Sequence, residues 1–140
     1  MRKLVISTFL GMLALGATAQ TEPDQSVRIT GYQIELPQHR YPVFAGDLDT
    51  YRGMYDLSNG QTMRLKVYGS RMYAAVDDGP RKELVAAAAN TFVAIDRSLK
   101  MTLNRSDFDE VTGEMLMVVP RQTAQAGEPA TQVVRLLTSR

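Results

Sequence analysis

The chain has 140 residues, 44% hydrophobic and 22% charged, with 16 Lys plus Arg against 15 Asp plus Glu. It contains no Cys, no Trp and one His. A near-zero net charge gives no bulk attraction to nucleic acid or to acidic membranes. Without Cys, a disulfide, a zinc ribbon, a thiol nucleophile and an iron–sulfur site are all excluded.

Residues 1–19 read as a secretory signal peptide. Met1-Arg2-Lys3 is a short positive head, Leu4 to Gly16 is apolar, and Ala17-Thr18-Ala19 is a small-x-small exit before Gln20. The apolar run is shorter than the roughly 20 residues that a membrane-spanning helix needs. No Cys follows it, so a lipoprotein anchor is excluded. Cleavage after Ala19 leaves about 121 residues, with 14 Lys plus Arg against 15 Asp plus Glu. That length suits one small domain burying roughly two-thirds of its unfolded surface. The expected location is the bacterial periplasm or beyond the cell. The expected mature protein does not span a membrane, and without Cys its fold must rest on packing alone.

Residues 20–50 form the expected N-terminal arm and loops. Gln20 to Gln25 is a polar lead-in with Pro23, and Val27 to Leu36 reads as one strand or an extended arm. Pro37 and Pro42 then break regular structure, and Gly46-Asp47 reads as a turn.

Residues 51–140 form the expected β-meander domain. Asn59-Gly60 is a strong hairpin signal, because both residues tolerate positive φ. A three-residue loop, Ser58-Asn59-Gly60, pairs Tyr55 with Met63 and Leu57 with Gln61. It sets Tyr55, Leu57, Met63, Leu65 and Val67 on one face, whereas a two-residue loop would split that set. Gly69-Ser70 suits a two-residue turn, with Val67 facing Met72, Leu65 facing Ala74 and Met63 facing Val76. On the outer side Tyr68 then opposes Arg71, Lys66 opposes Tyr73 and Arg64 opposes Ala75. Asp77-Asp78-Gly79-Pro80 is a further turn. Lys82 to Ala88 is short for a stable helix and reads as a strand of small residues. Strands at Phe92–Ile95 and Leu99–Leu103, a polar loop at Asn104–Thr112 and a strand at Glu114–Val119 follow. A long loop at Gln122–Ala130 leads to a last strand at Gln132–Leu137. The fold class is all-β: an antiparallel meander of about eight short strands, closed as a small lipocalin-like barrel or left as a strongly curved sheet. An outer-membrane barrel needs strands of about 9–11 residues with aromatic girdles, which these runs lack.

The motif Gly53-x-Tyr55-x-Leu57-Ser58-Asn59-Gly60, followed by Arg71-x-Tyr73-Ala74, Glu83-Leu84-x-Ala86 and Asn90-x-Phe92, resembles a group of small secreted proteobacterial proteins. It is similar, more distantly, to β-domains appended to some β-lactamase-like serine hydrolases. The likeness covers roughly 51–137 and rests on turn and core residues. It implies a small exported β-fold and carries no activity. The appended domains are non-catalytic, and the Ser-x-x-Lys nucleophile motif of the hydrolase part has no counterpart in this chain.

Candidate chemistry is sparse. His39 lies between two prolines beside Arg40, in what reads as an exposed loop, with no second imidazole for a metal pair. Asp107, Asp109, Glu110 and Glu114 could offer Ca²⁺ hard oxygen ligands, but the EF-hand order fails at Val111 and Gly113. Asp77 and Asp78 read as turn-shaping residues. Met54, Met63, Met72, Met101, Met115 and Met117 could bind Cu(I) through their thioethers, yet they alternate with Leu and Val as core residues do. The sequence therefore implies no catalytic residues, no metal and no cofactor. The one face with binding chemistry is the outer side of the second hairpin: Arg64, Lys66, Tyr68, Arg71 and Tyr73. Alternating cations and phenol rings can grip a polyanion or a sugar, or simply stabilise their own strand pair. The expected function is a non-enzymatic exported β-domain that binds an envelope ligand or protein. An envelope assembly subunit and a small hydrolase are the alternatives.

Overall fold

The structure is a computed structural model and describes residues 26–29, 31–121, 126–127 and 130–140. The expected signal peptide, the polar lead-in and most of the 122–130 loop lie outside the described residues. Strand β1 (Val27–Ile29) and a one-turn helix, α1 (Ala45–Asp49), precede eight further strands. These are β2 (Gly53–Leu57), β3 (Thr62–Tyr68), β4 (Arg71–Val76) and β5 (Lys82–Ala88). They continue as β6 (Thr91–Ala94), β7 (Leu99–Arg105), β8 (Val111–Pro120) and β9 (Thr131–Ser139). From β2 to β9 each strand pairs antiparallel with the next, and β9 returns to β2 through Asp56–Ser139 and Leu57–Thr138. The sheet is therefore a closed eight-stranded barrel with β1 as an extra strand. Closure removes the exposed edges that an open curved sheet would keep.

Both hairpin registers follow from turn chemistry. Gly60 (φ 82°) closes the β2–β3 loop, where the Leu57 amide donates to the Gln61 carbonyl at 2.9 Å and Tyr55 opposes Met63. Gly69 (φ 59°) opens the β3–β4 turn, so Val67 opposes Met72 and Lys66 opposes Tyr73. Period-2 alternation then sends Met63, Leu65 and Val67 inward and leaves Arg64, Lys66 and Tyr68 exposed.

The interior is solid. Tyr55, Phe92, Met63, Met72, Met101 and Met115 fill it with almost no solvent contact, and Leu48 of α1 joins the same cluster. The barrel is thus a packed core rather than a cup for a ligand. Of the six methionines among the described residues, five sit in or against this core, while Met54 points out and is exposed. Where β7 and β8 cross, a Cβ on Gly113 would lie 2.0 Å from the Thr102 carbonyl oxygen, so only glycine permits that approach.

A second apolar layer lies on the outer wall. Ile34, Val85, Val93 and Val133 are buried yet stand apart from the interior cluster. Along their strands Val85, Val93 and Val133 alternate with inward residues, so they face out. The arm from Gly31 to Phe44 supplies their cover. It carries the buried Ile34, and the Tyr41 amide donates to the Ala86 carbonyl at 2.8 Å.

Three expectations need correction. The Val27–Leu36 segment pairs only over Val27–Ile29, because β9 offers β1 just the edge at Val133–Arg135 that β2 leaves free. Gly46-Asp47 lies in α1 rather than in a plain turn, since burying Leu48 under the barrel favours one helical turn there. The Asn104–Thr112 loop shrinks to 106–110. Arg105 engages Asp109, and Ser106 donates to Glu110 at 2.8 Å, so the flanking residues remain paired.

Candidate functional site

The five residues singled out on the second hairpin do share one outer face. Arg64, Lys66 and Tyr68 project from β3, and Arg71 and Tyr73 from β4, with Tyr68 opposite Arg71 and Lys66 opposite Tyr73. The rings of Tyr68 and Tyr73 meet edge to face, their centroids 5.8 Å apart. Tyr68 is 53% exposed, and Arg64, Lys66 and Arg71 are exposed beside it, with Tyr73 half-buried.

Two further residues belong to the face. The Arg81 guanidinium carbon lies 5.0 Å from the Tyr73 ring centroid and 5.8 Å from that of Tyr68, within cation–π range of both. Glu83, paired with Tyr73 across β4 and β5, stands 4.0 Å from Arg71. A hydrogen bond to the Tyr73 side chain, and then the Glu83 charge, hold the Arg71 guanidinium above its ordinary value. Parity could have revealed Arg81, since it lies two residues before the outward Glu83. Pro80 before it makes the segment read as a turn, which hides that parity. Four cations therefore face out beside two phenol rings and one carboxylate. Arg64 and Lys66 have no ion-pair partner among the described residues.

Elsewhere the chemistry is already engaged. Asp109 is held by Arg105 and Glu114 by Arg135, so two of the four carboxylates of the acidic cluster read from the sequence are drawn into separate ion pairs. No group of three or more His, Cys, Asp or Glu side chains suited to a metal occurs among the described residues. His39 is exposed on the arm. Asp77 (φ 47°) accepts hydrogen bonds from the Thr62 amide at 2.9 Å and from the Gln61 side chain at 2.7 Å, tying two turns together. A concavity of about 780 Å³ lies over the ends of β7, β8 and β9. Its Thr102 and Asn104 bond to Thr91 and Asn90 across strands, so their polar groups serve the sheet. No helix among the described residues is long and apolar enough to cross a membrane. Compared with protein families, curated proteins and solved structures, the chain matches none.

Proposed function

We propose that this protein is a non-enzymatic, exported β-barrel that binds an anionic glycan of the bacterial envelope on the outer face of β3–β5. Export rests on the charged head, apolar run and Ala-x-Ala exit of residues 1–19. One observation carries the binding reading. The outer wall is divided: the arm and its apolar layer cover one half, and the other half keeps four cations around two phenol rings. Since the interior is filled by side chains, a ligand must be taken on the outside.

The chemistry suits a polymer of acidic sugars. Guanidinium groups fork onto carboxylate or phosphate oxygens, while sugar faces lie on phenol rings. The same contacts among Tyr68, Tyr73 and Arg81 also stabilise the hairpin, so the test must separate affinity from stability. The double variant Arg71→Ala with Tyr73→Ala is expected to lose retention on an immobilised anionic envelope glycan while its thermal midpoint shifts little. Unchanged retention would return this face to a purely structural role.

A further inference from the structure

We infer that Glu83 is the specificity-determining residue of the β3–β5 face: it admits polymers that carry a single carboxylate per sugar and disfavours densely charged polyanions. The inference rests on the glycan reading above and narrows it to one class of anion.

Strand register sets a carboxylate among the cations. Glu83 opposes Tyr73 across β4 and β5, so its side chain leaves the sheet on the same side as the Tyr73 ring. Two residues earlier in the chain, Arg81 lies over that ring, its guanidinium carbon 5.0 Å from the centroid. On β4, the Arg71 Nε stands 4.0 Å from the Glu83 Oε1. The Arg71 side chain is 68% exposed and that of Glu83 34%, so the pair is loose and open to solvent. Exposed pairs of this kind add little to stability. Among the described residues the Glu83 side chain accepts no hydrogen bond, and its oxygens are left as acceptors for a ligand.

A carboxylate in that place acts in two opposite ways. Toward an anion gripped by Arg71 it is a like charge, well inside the roughly 8 Å over which physiological salt leaves charges unscreened. Toward a sugar hydroxyl it is a charge-assisted acceptor, with the Arg71 donors beside it. A uronate polymer satisfies both: its carboxylates meet Arg64 and Lys66, and the hydroxyls between them meet Arg71 and Glu83. Polyphosphate brings only anions and has no hydroxyl along its chain to give to Glu83. Selectivity then comes from a repulsive group built into an attractive face.

Alginate and polyphosphate of matched chain length, each titrated at the same low salt into the protein and its Glu83 variants, test this by calorimetry. Glu83→Gln keeps the shape and removes the charge. It should tighten polyphosphate about two- to fivefold, the scale of one exposed charge pair, while alginate binds no more tightly than before. Glu83→Asp keeps the charge and should leave polyphosphate as weakly bound as it is by the unaltered protein. The inference is overturned if Glu83→Gln leaves polyphosphate binding unmoved, or strengthens both polymers alike. Either result with alginate binding intact counts against the role of Glu83 alone. No alginate binding to the unaltered protein overturns the glycan reading and this one together.

Discussion

Arg81 reaches back over Tyr73, its guanidinium carbon 5.0 Å from the ring centroid, and so links the start of β5 to the centre of the β3–β4 hairpin. The contact joins a cation to an aromatic platform that also touches Tyr68. At an exposed site such a contact is worth about 0.5–1 kcal/mol. Arg81→Gln should therefore cost no more than about 1 kcal/mol in urea unfolding. It should nonetheless weaken binding to an anionic glycan measurably. A loss well beyond that in stability would show that Arg81 holds the hairpin together rather than serving a ligand.

The core makes a stronger demand. Leu65 is 1% exposed and sits among Met63, Val67 and Ala74 on the inner face. Leu65→Ala should cost about 2–5 kcal/mol by chemical denaturation, the usual cost of a cavity in a well-packed interior. A change below about 0.5 kcal/mol would contradict the register.

Gly113 and Gly60 fail for different reasons. At Gly113 any Cβ would run into the Thr102 carbonyl, so Gly113→Ala should cost about 1–3 kcal/mol or more as β7 and β8 are forced apart. At Gly60 there is open space, and the obstacle is the backbone at φ 82°. Gly60→Val strains that turn, whereas Gly60→Asn should be better tolerated, since Asn visits the left-handed region. Thermal midpoints of the three variants separate a steric from a conformational requirement.

Two turn carboxylates set the acid response. Hydrogen bonds from the Thr62 amide and the Gln61 side chain hold the Asp77 carboxyl below its usual range. Burial pushes the Asp96 carboxyl up, but bonds from Lys82 and Ser98 outweigh it and leave that group lowered too. A lowered carboxylate contributes stability above its unfolded value, near 3.8 for Asp. That contribution is lost as pH falls through the still lower folded value. Asp77→Asn keeps the left-handed turn geometry but removes the charge. The stability gap between the two proteins should be full at neutral pH and should close as pH falls below about 4. A gap that persists unchanged in acid would mean the charge plays no part.

Local order was legible in this sequence and long-range order was not. Asn59-Gly60 and Gly69-Ser70 dictate loop length, and the alternation of Met63, Leu65 and Val67 with Arg64, Lys66 and Tyr68 leaves one register that buries the apolar set. The five residues of the outer face follow from that register alone. Closure through Ser139 and Asp56 joins residues 83 positions apart, with no local signal at either. Arg81 is masked by Pro80 and the preceding turn. Nothing in the strand runs that hold Val85 and Val93 marks them as an outer apolar layer, which exists only because the arm packs there.

On the proposed function, the bare half of the wall binds an acidic polysaccharide through its charge. Titration calorimetry of the chain from Gln20 onward with alginate, set against neutral dextran over a range of salt, tests it most directly. Binding to alginate should weaken steadily as salt rises, dextran should give no heat, and Arg64→Gln with Lys66→Gln should remove most of the alginate signal without lowering the thermal midpoint. No binding to alginate at low salt, or binding that survives the loss of both cations unchanged, would contradict it.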